Sequence, residues 1–245
     1  TFAGPVQFYL VYKAVSTSMG TDFIGVIPAS FAVISLIGLV NTIRAFPKDE
    51  PQQRDRLALL GGVSLFFITL IIPLQFDKEW ITLGWVLEGA ALLWLYGRVP
   101  HIGLVYWALG LLGISFARLT MNPAVLSYHP RTDTVIFNWY LYVYGTSVIS
   151  FLLSAKFLQD SSAEKFRDQA PGLLRFFATV VAFLLLNIEI ADYFSTGASI
   201  TFQFSGNIAQ DMTYSLGWAL FGLALLVIGI GWQNREARLG SLILL

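Results

Sequence analysis

One carboxylate falls where a carboxylate is expensive. Glu88 lies near the middle of WITLGWVLEGAALLWLYG, residues 80–97. As a helix this run covers roughly 27 Å, close to the hydrocarbon thickness of a bilayer. A charge at that depth costs roughly 3 kcal/mol on insertion scales. Glu88 must therefore be protonated, paired or turned toward a wet cavity. Two readings fit it: a proton or ion relay within a substrate path, or a protonated acid bonding across a helix interface. The small neighbours Gly84, Gly89 and Ala90 would let a second helix come close enough for the latter.

A second polar group is Asn187, Glu189 and Asp192, near the end of another apolar run. Residues two apart on a helix point to different faces, so Asn187 and Glu189 diverge. Residues three apart share a face, so Glu189 and Asp192 converge. Two carboxylates on one face suit a bound cation or an acid and base pair. They also suit a plain polar helix end at the headgroup level. Arg118 is the expected counter-charge, and His129, Arg131 and Asp133 join it from the neighbouring loop.

Other chemistry is thinly represented. The two histidines, His101 and His129, fall on opposite sides of the expected membrane, which disfavours a two-histidine metal site. No cysteine is present, so disulfides, thiol nucleophiles and thiolate metal sites are excluded. Walker loops, nucleophile elbows, paired-histidine metalloprotease motifs and dinucleotide fingerprints are absent from the sequence. No catalytic residue, cofactor or metal is expected. Lys13 reads as a snorkelling or interfacial side chain.

The elements that must position these groups are apolar helices. The 245 residues are 56% hydrophobic and 12% charged, with mean hydropathy +0.68. Soluble domains carry about twice that charged share. Several apolar runs of near-spanning length cannot be hidden in one water-soluble core. Strict alternation in ten-residue segments, the mark of a membrane barrel, is missing. The fold class expected is all-α, a polytopic transmembrane bundle with about seven spans plus truncated helices at the ends. Residues 1–245 read as one transmembrane region, a window from a longer chain.

In order, helices are expected at about 22–46, 57–74, 80–97, 102–119, 135–157, 173–194 and 212–232, with an eighth beginning near 237. Pro171 and Gly172 read as helix breakers, and ITFQF, residues 200–204, alternates like a short surface strand. Lysine and arginine give the orientation. Arg44, Lys48, Arg54, Arg56, Arg98, Lys156, Lys165, Arg167, Arg175, Arg235 and Arg238 fall on one side, against Lys78, Arg118 and Arg131 on the other. By the positive-inside rule the first side faces the cytoplasm. Trp139, Tyr140, Tyr142 and Tyr144 read as an outer aromatic belt, with Trp80 also outside and Trp94 and Tyr96 inside.

Two stretches carry a resemblance. DKEWITLGWVLEGAALLWLYGRV, residues 77–99, resembles a W-x-x-x-x-W-x-L-E-A-x-x-L-x-W-L segment of the bacterial membrane proteins grouped as domain of unknown function 2339. SLGWALFGLALLVIGIGWQNREARLGSLILL, residues 215–245, resembles a later segment of the same proteins. The departures are Gly89 where alanine is usual and Phe221 where tyrosine is usual. The resemblance implies a long multi-pass chain in a bacterial inner membrane and brings no catalytic residues with it.

The function expected is thus a bacterial inner-membrane protein with a structural, assembly or envelope-associated role. Two alternatives stand beside it. One is a transporter or proton-coupled channel using the intramembrane carboxylates. The other is a lipid-linked glycosyl-transfer enzyme at the outward face, with Asp133, Asp192 and Arg131 as its residues. Expected partners are membrane lipids and other membrane subunits, and the zero formal charge gives no sign of nucleic acid.

Overall fold

The computed structural model describes residues 24–45, 51–75, 78–97, 100–127, 136–160, 168–197 and 207–231, with Leu10, Lys13, Arg131, Thr134, Phe166 and residues 200–202. Seven α-helices run through these residues: α1 Val26–Ala45, α2 Pro51–Gln75, α3 Lys78–Tyr96, α4 Ile102–Met121, α5 Thr146–Gln159, α6 Ala170–Phe194 and α7 Ile208–Gly231. No strand occurs among the described residues, so the all-α expectation holds. Residues 200–202 are irregular rather than extended in a sheet. The expected strand's last two positions, 203 and 204, and the expected eighth helix lie outside the described residues.

The span count is lower than expected. Four segments are both long and apolar enough to cross a bilayer: Ile102–Met121, Leu141–Gln159, Ala170–Phe194 and Ile208–Ile230. The apolar parts of the first three helices, Val26–Thr42, Leu60–Gln75 and Trp80–Tyr96, are shorter. The physical reason is visible in α2, whose first turns are the polar residues Gln52, Gln53, Arg54, Asp55 and Arg56. The seventeen residues of Trp80–Tyr96 rise about 26 Å, at the short end of what crosses the roughly 30 Å hydrocarbon layer.

Several helix ends differ from the sequence reading for local reasons. Helix α6 starts at Ala170, because Pro171 occupies its first turn, where a missing N–H costs nothing. Helix α7 starts at Ile208, one turn early, because Asn207 Oδ1 accepts the Ala209 N–H at 2.9 Å. The expected helix from 135 begins only near Trp139. Ile136 has φ 69°, a left-handed conformation that no helix continues through. Asn138 then caps the new start, its Oδ1 accepting the Leu141 N–H at 2.9 Å. A π-helical turn, Leu141–Gly145, leads into α5.

By backbone packing the chain divides into two units, residues 1–115 with 156–168, and residues 116–155 with 169–245. In the first unit α1, α2 and α3 run antiparallel in succession. The Gly25 N–H donates to Gln75 Oε1 at 2.9 Å, Phe31 meets Phe67 at 5.1 Å, and Gly38 faces Leu60. Gly84 of α3 sits against Ile72 of α2 so closely that a Cβ there would lie 2.7 Å from it. Gly89 does the same against α4, where a Cβ would lie 2.8 Å from Leu112 Cγ and 3.3 Å from the Ala108 carbonyl. Small residues buying close approach is the packing device of apolar bundles. Gly89→Ala, although alanine is what the family resemblance led one to expect, should destabilise the unit by about 1–3 kcal/mol through overpacking. In a double-mutant cycle with Leu112→Ala, itself costly because Leu112 is fully buried, the two losses should sum to less than their separate values in thermal unfolding in detergent; strictly additive losses would rule out this contact as the cause.

In the second unit three rings meet: Phe116 stacks on Phe177 at 3.9 Å, and Phe151 closes on Phe177 edge-on at 5.8 Å. Helix α7 lies antiparallel to α6, with Phe183 against Trp218 and Phe221 and with Gly217 against Ile190. Its other side, including Leu216, Leu220, Leu223, Val227 and Ile230, is exposed. Apolar exposure along a whole helix is stable against lipid tails and not against water.

Candidate functional site

Two polar clusters lie among these helices, one in each unit. In the first unit Glu88 of α3 meets Thr69 of α2, whose Oγ1 hydrogen-bonds Glu88 Oε1. Trp107 of α4 donates its indole N–H to the same Thr69 oxygen at 3.0 Å. Thr69 Oγ1 also lies 3.0 Å from the Leu65 carbonyl of its own helix. One hydroxyl thus joins three helices. Glu88 Oε2 is buried without a hydrogen-bond partner, as is Trp85 Nε1 one turn before it. Among the described residues no lysine, arginine or histidine pairs with Glu88. Gly84 and Gly89, on either side of Glu88, are what bring α2 and α4 within reach of it.

In the second unit Arg131 closes the C-terminal end of α6. Its Nε donates to Asp192 Oδ1, its Nη2 to the Asp192 carbonyl at 2.6 Å, and its Nη1 to the Gly197 carbonyl at 2.6 Å. The Asp192 side chain is 7% exposed and that of Arg131 18%. A helix C-terminus carries unsatisfied carbonyls and partial negative charge, so a cation placed there is favoured twice, by hydrogen bonds and by the helix dipole. Ser195 and Thr201 complete the cap: the Thr201 N–H donates to Ser195 Oγ at 2.9 Å, and Ser195 Oγ donates to the Ala191 carbonyl at 2.7 Å.

Asn138 is the hinge of this cluster. Its Oδ1 is taken by the Leu141 N–H, so its amide nitrogen must face the other way. That nitrogen donates to Glu189 Oε2 at 2.9 Å and to Asp192 Oδ2 at 3.2 Å. Glu189 and Asp192 therefore do share a face, and both Asp192 oxygens are occupied. Glu189 Oε1 is buried and has no partner.

The remaining candidates fall elsewhere. Asn187 turns to the other side of α6, where its Oδ1 accepts the Trp218 indole N–H at 3.0 Å and its Nδ2 donates to the Phe183 carbonyl at 2.7 Å. It is a tie between α6 and α7. Arg118 stands half-buried in the last turn of α4, while the guanidinium on Asp192 is that of Arg131. His129 and Asp133 lie outside the described residues. His101 accepts the Gly103 N–H on Nδ1 at 3.2 Å and starts α4, a capping role. The outer aromatic belt is corrected in part. Tyr142 is exposed, but Tyr140 and Tyr144 are buried, donating to the Leu126 carbonyl at 2.9 Å and the Leu119 carbonyl at 3.2 Å. Among the described residues no three metal-binding side chains come together.

A family model described as a predicted membrane protein, domain of unknown function 2339, matches residues 97–245, more than half of the chain. The chain belongs to this family. No curated protein and no solved structure matches it. The part matched by domain of unknown function 2339 takes in Arg131, Asn138, Glu189 and Asp192, whereas Thr69 and Glu88 precede it. The family description and the four membrane-capable helices together make this a membrane protein.

Sequence reading missed Asn138, Thr69, Trp107 and Trp218. For Asn138 a signal existed: an asparagine before an apolar helical run is a capping residue. Its second task, bridging two carboxylates more than fifty positions away, left no local trace. Thr69 had a weaker signal in Pro73, four residues on, which lacks the N–H that the Thr69 carbonyl would otherwise accept.

Proposed function

We propose that this protein is a multi-pass component of a bacterial inner membrane with a structural, assembly or envelope-associated role. What supports this reading is how the polar groups between its helices are used. Thr69, Glu88 and Trp107 tie three helices together, Asn187 ties α6 to Trp218 of α7, and Arg131 with Asn138 fastens a loop to the end of α6. Polar groups used in this way hold apolar helices together. The orientation places the loop bearing Arg131 outside and the 161–170 linker in the cytoplasm.

The chain has no cysteine, so single-cysteine variants label cleanly. Asp160→Cys should react only with reagent admitted to the cytoplasm, and Asn207→Cys only with reagent added outside; the reverse pattern would overturn the topology. For the role itself, deleting the gene should weaken the envelope, and Glu88→Gln and Glu189→Gln should each restore it while proteoliposome proton flux stays at the protein-free level. Flux that depends on either glutamate would overturn it.

That last outcome would favour a proton-coupled transporter or channel. One observation supports this second reading: Glu88 Oε2 and Glu189 Oε1 are both buried with no partner. Glycosyl transfer has no such support, since Asp192 has no unoccupied carboxylate oxygen with which to move a proton.

A further inference from the structure

We propose that Glu88 holds an exchangeable proton, and that Thr69 reports its presence to α2 and to Trp107. A hydroxyl has one hydrogen to give and two lone pairs to receive. Thr69 Oγ1 has three partners. The Leu65 carbonyl, at 3.0 Å, can only accept. The Trp107 indole N–H, at 3.0 Å, can only donate. The third is Glu88 Oε1, which accepts when ionised and donates when it carries a proton.

With the Thr69 hydrogen on the Leu65 carbonyl, the bond to Glu88 requires a hydrogen from Glu88. All three bonds then coexist, and both lone pairs of the hydroxyl are used. With Glu88 ionised, the Thr69 hydrogen must turn to the carboxylate, and the bond to the Leu65 carbonyl is lost. The full set of contacts therefore assigns the proton to Glu88 Oε1. The second oxygen agrees. Glu88 Oε2 is buried and unpartnered, which costs far less for the carbonyl oxygen of a neutral acid than for half of a carboxylate.

The site is built to feel the proton leave. A hydroxyl bonded back to the carbonyl four residues earlier adjusts the curvature of its helix. In α2 that hydroxyl belongs to the residue whose own carbonyl has lost its helical partner to Pro73. Deprotonation thus removes a side-chain bond one turn before the bond that the backbone ladder already lacks. Few other charges bear on the site. Between Leu57 and Gln75, α2 has no titratable side chain; between Ile81 and Tyr96, α3 has only Glu88 and Tyr96; the first-unit part of α4 has only Tyr106. Tyr106 packs edge-on against Phe166 at 5.1 Å.

This inference does not depend on transport. A protein can take up and release a proton at one site without passing it across the membrane, and the flux assay above answers that separate question. The test is infrared difference spectroscopy of the protein in lipid nanodiscs, joined to the indole N–H resonance of Trp107 assigned through Trp107→Phe. At pH 7 the wild type should show a protonated carboxyl stretch that shifts in deuterated buffer and is missing from Glu88→Gln but retained in Glu189→Gln. As the pH rises, the loss of that band and the movement of the Trp107 resonance should share one midpoint. Glu88→Gln, whose amide still donates to Thr69, should hold the resonance at its acid position throughout. Should that variant fail to fold, Thr69→Val keeps Glu88 and should move the carboxyl band toward that of an unbonded acid while abolishing the pH response of Trp107. A Glu88 carboxylate band at pH 7, a carboxyl band indifferent to deuterium, or a Trp107 resonance indifferent to the Glu88 titration would each overturn the proposal.

Discussion

Arg131→Leu should cost the second unit about 3–5 kcal/mol, the range found when one partner of a buried ion pair is removed. The substitution strips Asp192 of its counter-charge and leaves the Asp192 and Gly197 carbonyls without their guanidinium donors. The carboxylate left behind is 7% exposed, so water cannot replace what is lost. Thermal or denaturant unfolding in detergent, followed by helix content, would read the effect. The double variant Arg131→Leu, Asp192→Asn should regain much of the loss, because it removes the orphaned charge as well as its partner. A single variant within about 1 kcal/mol of wild type, the value of an exposed pair, would mean that the Arg131 latch contributes nothing.

The second large effect is expected at Asn138. Asn138→Asp leaves the helix cap intact, since an aspartate oxygen accepts the Leu141 N–H as well as an asparagine oxygen does. It replaces the amide donor to Glu189 and Asp192 with a third carboxylate. Asn138→Ser is the matched control: the cap survives, both donors go, and no charge is added. The serine variant should lose about 1–3 kcal/mol, the cost of leaving a buried acceptor unmade, and the aspartate variant should lose clearly more. The aspartate deficit should also shrink as the pH falls, because a proton on any of the three carboxyls restores a donor. In linkage terms the folded variant binds a proton that the unfolded chain does not, so its stability declines as the pH rises. If the serine and aspartate variants unfold together at every pH, Asn138 is a cap and nothing more.

These two expectations rest on a loop whose role no local pattern announces. Arg131 and Asn138 come from a stretch that reads as linker followed by helix, and their partners are 61 and 51 positions away. Periodicity speaks to residues one turn apart, so it did place Glu189 and Asp192 on one face and Asn187 on another. It says nothing about which loop folds back onto that face. Arg118 reads as the counter-charge because it ends a helix on the same expected side of the membrane, yet the guanidinium that lies on Asp192 is the one the loop brings there. The tyrosines near the start of α5 teach the same lesson. Tyr140 and Tyr142 are neighbours in an aromatic cluster, yet one is buried with its hydroxyl bonded and the other is exposed. Residues two apart on a helix point to nearly opposite sides, and only the neighbouring elements decide which side is inside.

What the chain by itself determines is the material: apolar runs too many for a soluble core, lysine and arginine gathered on alternate connections, and a few carboxylates that such a setting must neutralise. The approximate helices follow from this, because a backbone surrounded by lipid satisfies its hydrogen bonds within each segment. What the tertiary structure alone decides is how those carboxylates are neutralised, by Thr69 and Trp107 for Glu88 and by Asn138 and Arg131 for Glu189 and Asp192. The reason is common to both. Hydrophobicity is a sum over a segment, legible one residue at a time, whereas a hydrogen bond needs two atoms at one place, and only folding brings residue 69 to residue 88 or residue 131 to residue 192.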